Sequence, residues 1–146
     1  LVTEINIQEH LALLETRRVL DRLIAIRAAS RATPEQRDTL QDLAMKIVDA
    51  AAVPDAAEFM RVDNEADNIL ETASRNIFAV QATTPLHTHC RRLWFMYRKH
   101  GDLTQSASLH GAIFKSVADA DESIAATASD ALMDYLVQFA RNTLDD

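Results

Sequence analysis

Polar side chains on faces that otherwise read as apolar mark where chemistry could be done. Turned at about 100° per residue, the stretch around 55–74 carries Phe59, Val62, Ala66, Ile69, Leu70 and Ala73 on one side. Asp63 falls inside that stripe and Asp67, one turn on, lies at its edge. Arg61, Asn64, Glu65, Asn68 and Glu71 lie outside it. Two carboxylates at i and i+4 repel each other, more strongly when buried, unless a cation or a guanidinium answers them. A solvated acid on a helix flank accounts for Asp67 equally well. It does not account for Asp63.

His110 stands at the centre of a second stripe, made by Leu103, Ala107, Ile113, Phe114 and Val117. A histidine there is either satisfied within the core by a carbonyl or side chain, or offers a neutral imidazole as metal ligand or hydrogen-bond partner. Arg17 lies one turn from Leu13 and Leu20 and two turns from Ile24. Such a guanidinium snorkels outward or pairs with a buried acid or a ligand carboxylate. An intrahelical bond to Asp21, at i+4, is equally available. His87-Thr88-His89-Cys90 has metal-ligating residue types, but on a helix its members fan out, so a helix surface is expected. The basic and aromatic run of Arg91, Arg92, Trp94, Tyr97, Arg98 and Lys99 is too short to argue nucleic acid. Gly-rich phosphate loop, nucleophile elbow and cysteine pair are all lacking, so the pattern holds no turnover chemistry.

The elements that must position these groups are helices. Two glycines and three prolines in 146 residues leave little punctuation for strands and hairpins, and Ala, Leu, Glu and Arg favour helix. Thr33-Pro34, Val53-Pro54-Asp55, Thr83-Thr84-Pro85, His100-Gly101-Asp102 and Asp119-Ala120-Asp121 are the breaks. They predict helices over about 7–31, 35–52, 55–74, 76–99 (bent or broken near Pro85), 103–119 and 122–144. Six or seven amphipathic helices with short connections make an all-α antiparallel bundle, in one domain large enough for a real core. The lone Cys90 excludes a disulfide-stapled fold and suits a reducing cytoplasm. No apolar run approaches the roughly 20 residues of a membrane span. A net charge of −7 repels nucleic acid.

The order of four stretches resembles the FCD domain, the C-terminal effector-sensing domain of GntR-family transcription regulators of the FadR subfamily. Leu14-Glu15-Thr16-Arg17-Arg18-Val19-Leu20-Asp21 is similar to its opening E-x-R-x-x-L-E helix, with Asp21 for the usual Glu. Phe59-(x3)-Asp63-(x3)-Asp67 followed by Ala73-Ser74-Arg75-Asn76 resembles F-x-x-x-D-x-x-F-H … A-S-x-N. His110-(x2)-Ile113-(x3)-Val117-(x3)-Asp121-(x3)-Ala125 resembles H-x-x-I-x-x-A-I-x-x-G-D-x-x-x-A. The segment Ser129–Leu136, with Arg91-Arg92-Leu93-Trp94, is similar to one branch of the family.

That resemblance implies a bundle with a central cavity for a small, often carboxylated metabolite, and a homodimer. It also implies a divalent metal, held in many members by one Asp and three His that face the cavity. Asp63 matches the Asp and His110 the middle His. Asp67 stands where the family has the His of F-H, and Leu132, 22 residues after His110, where it has the last His. Asp130 and Asp134 project opposite the stripe of Ala125, Ala128, Leu132, Tyr135 and Phe139 and do not substitute. Asp63, Asp67 and His110 would thus make an incomplete site, fitter for a weak, watery divalent ion than for tight zinc. The family's winged helix-turn-helix has no counterpart here, and Leu1–Ile5 is similar to the linker that follows it.

The expected function is therefore an effector-binding, dimer-forming sensor in the cytoplasm, reaching DNA only through a winged-helix domain outside this chain. Asp63, Asp67, His110 and Arg17 are its candidate ligand-binding residues, with Asp63 and His110 facing one pocket and Arg17 near enough to balance Asp63 or a bound carboxylate. The alternative is a small helical metalloenzyme whose Asp63, Asp67 and His110 hold a catalytic ion. A helical interaction module without a ligand is the third.

Overall fold

The computed structural model describes residues 6–99 and 101–144. The Leu1–Ile5 stretch and His100 of the expected helix stop lie outside the described residues. Six helices form among those described: α1 (Ile7–Arg31), α2 (Pro34–Ala52), α3 (Ala56–Ser74), α4 (Ile77–Tyr97), α5 (Asp102–Ala118) and α6 (Glu122–Leu144). The starts follow local chemistry. Thr33 and Gln36 cap each other reciprocally at α2, with Pro34 at the first helical position. Asn6, Asp55, Asn76 and Asp121 each accept a backbone N–H in the first turn of the helix they open. Left-handed residues turn the chain between helices: Arg75 after α3, Gly101 before α5 and Ala120 before α6. Gly101, at φ 95°, takes a conformation that a side chain would strain.

One expectation needs correction. α4 is neither broken nor ended at Pro85 but runs from Ile77 to Tyr97. Proline deprives the Gln81 carbonyl of its helical partner, and both Gln81 and Pro85 lie on the exposed side, where water can serve instead.

α1 packs chiefly on α6 and α2 on α5, while α3 lies against α1 and α2, and α4 against α1. Phe59, Phe114, Leu40, Leu43, Ile47, Val62 and Val117 are wholly or almost wholly removed from solvent at the centre. Gly111 lets α5 approach α2, since a Cβ there would meet the Ala44 carbonyl oxygen at 3.3 Å. A smaller cluster of Leu14, Cys90 and Ala140 joins α1, α4 and α6. No helix among the described residues is long and apolar enough to cross a membrane.

Candidate functional site

Asp63 is buried on the inner face of α3, as its place in the stripe predicts. Its Oδ2 lies 3.6 Å from the Arg91 guanidinium, and its Oδ1 lies 3.5 Å from Nε2 of His110. Neither approach is a hydrogen bond, and Oδ1 is left without a partner. On α5, His110 Nδ1 lies 2.8 Å from the Ser106 carbonyl, to which it donates in the matching tautomer. Nε2 then turns a lone pair toward the unpartnered Asp63 oxygen. Two acceptors face each other across a gap that a proton or a donor group can fill. Burial, and then the Asp67 charge, push the Asp63 carboxyl above its ordinary range despite His110 and Arg91.

Asp67 is four-fifths buried and accepts a hydrogen bond from Arg91 at 3.1 Å. Burial opposes its charge, but His87, His110 and Arg91 outweigh burial and hold it below the ordinary carboxylate range. Of the two coupled acids, Asp63 is the one whose charge the surroundings disfavour.

Arg17 is buried on α1 and pairs through Nε with Asp21 at 2.7 Å, the intrahelical alternative. Arg91 of α4 and His110 of α5 are therefore the groups that approach Asp63, while Arg17 is engaged by Asp21. Asp21 also accepts from Thr83 at 2.9 Å and lies 2.8 Å from His87 Nε2. His87 Nδ1 lies 3.7 Å from Asp67. The expectation of a helix surface for His87-Thr88-His89-Cys90 holds for His89, which is exposed, but not for His87 or Cys90. Thr83, His87, Cys90 and Trp94 share the inner face of α4, at spacings of four, three and four residues. That periodicity was open to reading; the apparent metal string and the proline concealed it.

Two small cavities adjoin this cluster, each of about 50 Å³. Arg17, Asp67, His87 and His110 line both. Asp63 and Arg91 face the one beside Phe59 and Trp94, while Asp21, Ser129 and Leu132 face the other. All four sequence-derived candidates thus border the cavity beside Phe59 and Trp94, with His87 and Arg91, while Asp21 lines the other; sequence reasoning had selected none of these three. Asp130 and Asp134 turn away, toward Arg18 and Arg22 on α1.

The donors do not converge on a divalent ion. No group of three His, Cys, Asp or Glu side chains among the described residues has metal-holding geometry. The Arg91 guanidinium, 3.1 Å from Asp67 and 3.6 Å from Asp63, answers both carboxylates as a cation would. Asp63, Asp67 and His110 do not fit the three-ligand set drawn from the sequence.

The model of the FCD domain matches residues 12–135, which span all of these groups. The chain belongs to the FCD family. FCD domains are the C-terminal domains of GntR-family regulators, so this is the effector-sensing part of a transcription regulator. A search of the curated proteins returned no match. In this FCD domain Asp63 and His110 border the cavity beside Phe59 and Trp94, and Leu132 puts an apolar wall on the other.

Proposed function

We propose that this FCD domain senses a small carboxylate in the space between α1, α3, α4 and α5. The observation that carries the reading is a buried, partnerless Asp63 oxygen beside three cationic side chains. Arg17, Arg91 and a charged His87 face two firmly ionised acids, Asp21 and Asp67. Burial opposes the ionisation of Asp63 and of Glu71, which lines the same space, so the cations are in excess when both acids hold their protons. An entering carboxylate would be met by Arg91 and His87, while Asp63 and His110 would take a hydroxyl or a proton of the same ligand. The small cavities suit a molecule of a few carbon atoms, or a larger one that parts the helices.

On this reading the domain belongs to a FadR-subfamily regulator of the cytoplasm. It acts as a homodimer on a winged-helix domain outside this chain. Exposed apolar side chains on α1 and α4, Val19, Ile77 and Phe78, would supply surface for pairing.

The test is a melting-temperature screen of short mono- and dicarboxylates. An acid that fits raises the melting point of the native chain and loses its effect in Arg91→Gln and Asp63→Ala. A screen in which no carboxylate stabilises the chain, or one whose hit is indifferent to both substitutions, rejects the reading. Light scattering of a strict monomer at tens of micromolar would reject the dimer.

A further inference from the structure

A groove of about 560 Å³ lies at one end of the bundle, where α2 and α4 finish and α5 begins. It is separate from the polar cluster, and of its lining only Phe95 also borders the inner cavity. Ala51, Ala52, Pro54, Phe95 and Leu103 give it one apolar side. The rest is polar: Arg98 and Lys99, both exposed, with Gly101 and Thr104. None of the ion pairs among the described residues involves either cation. The Asp102 carboxylate, next to them in the chain, accepts the Lys99 backbone N–H at 2.6 Å and the Tyr135 hydroxyl at 3.0 Å. In a chain of net charge −7, Arg98 and Lys99 set two cations side by side on the rim of this groove.

The Arg98 guanidinium lies over the rings of Trp94 and Phe95, 5.9 and 5.8 Å from their centroids. Stacking holds the charge against the groove wall, where a flat guanidinium can take a carboxylate by two parallel hydrogen bonds. We propose that this groove is a second ligand site of the domain, taking a flat aromatic carboxylate with its ring against Phe95, Pro54 and Leu103 and its head on Arg98 and Lys99. The volume is that of small-molecule sites, and the lining joins apolar walls to a few converging polar groups, as such sites do. The site is independent of the one proposed between α1, α3, α4 and α5.

The probes are 2-naphthoate and its neutral counterpart, 2-naphthalenemethanol, titrated by calorimetry into the 146-residue chain. The carboxylate should bind about tenfold or more tightly than the alcohol, the preference that a charge-assisted hydrogen bond gives. Arg98→Gln with Lys99→Gln, both on the exposed surface, should erase that preference. Ala52→Trp, which fills the trough, should weaken both probes. The proposal fails if naphthoate does not bind at millimolar concentration, or if the alcohol binds as well. It fails equally if the preference survives the double substitution, or if Asp63→Asn abolishes naphthoate binding and so moves the ligand to the inner cavity.

Discussion

Nε2 of His87 lies 2.8 Å from Oδ1 of Asp21, across the contact between α4 and α1. Arg17 and Thr83 converge on the same carboxylate, so one acid of α1 gathers a cation of its own helix and two side chains of α4. Burial alone would push the Asp21 carboxyl up, but Arg17, His87 and Thr83 bring it down to about 2. Burial and Arg17 oppose the His87 charge, and the two carboxylates overcome them, raising it to about 9. The seating of α4 on α1 thus depends on charges that pH can remove from either side.

Stability should fall toward alkaline pH earlier than the arginines alone would dictate. A raised imidazole contributes fully below its ordinary value of 6.5, and the contribution is lost as pH climbs through about 9. Asp21 behaves oppositely, contributing above 3.8 and losing its share as pH falls through about 2. Urea denaturation should show the alkaline loss, on the order of 3 kcal/mol, and His87→Gln should abolish its slope. A wild-type profile that stays level from pH 6.5 to 9 would show that His87 is not charged in the fold.

Asp21→Ala should cost about 3 kcal/mol, because it leaves the Arg17 guanidinium buried without its partner. Adding Arg17→Met should recover part of that loss by removing the stranded charge. Strict additivity of the two substitutions in chemical denaturation would mean the pair is not coupled.

The Trp94 indole donates to the Tyr135 hydroxyl at 2.9 Å, and that hydroxyl donates to Asp102 at 3.0 Å. Tyr135→Phe breaks both bonds and should cost roughly 1–3 kcal/mol. Trp94 is the only tryptophan, so the same substitution should shift the emission of the folded chain. An unchanged spectrum would mean that the indole N–H keeps an equivalent partner.

Restoring histidine at the two departures, Asp67→His with Leu132→His, should raise zinc affinity in calorimetry above that of the native chain. Both positions line the same cavity as His110, so the new imidazoles would stand beside an existing one. Affinity no better than the native value would place position 132 out of reach.

Periodicity and capping residues were sufficient for the architecture. Thr33-Pro34, Asp55, Asn76 and Asp121 fix where helices start by satisfying first-turn N–H groups, and that chemistry is local. The burial of Asp63 was equally legible, because an acid centred in an apolar stripe goes wherever its neighbours go. Which groups answer that acid was not. Arg91 and His110 reach Asp63 from helices 28 and 47 residues further along the chain, a meeting set by how α4 and α5 pack and not by any spacing within α3. The same holds for His87: only the docking of α4 on α1, through Thr83 and Cys90 on the same face, decides that it meets Asp21 and not solvent. Local sequence determines which face of each helix is buried. The packing of helices distant in sequence determines which buried charges become partners, because Coulomb and hydrogen-bond energies depend on separations that no single helix encodes.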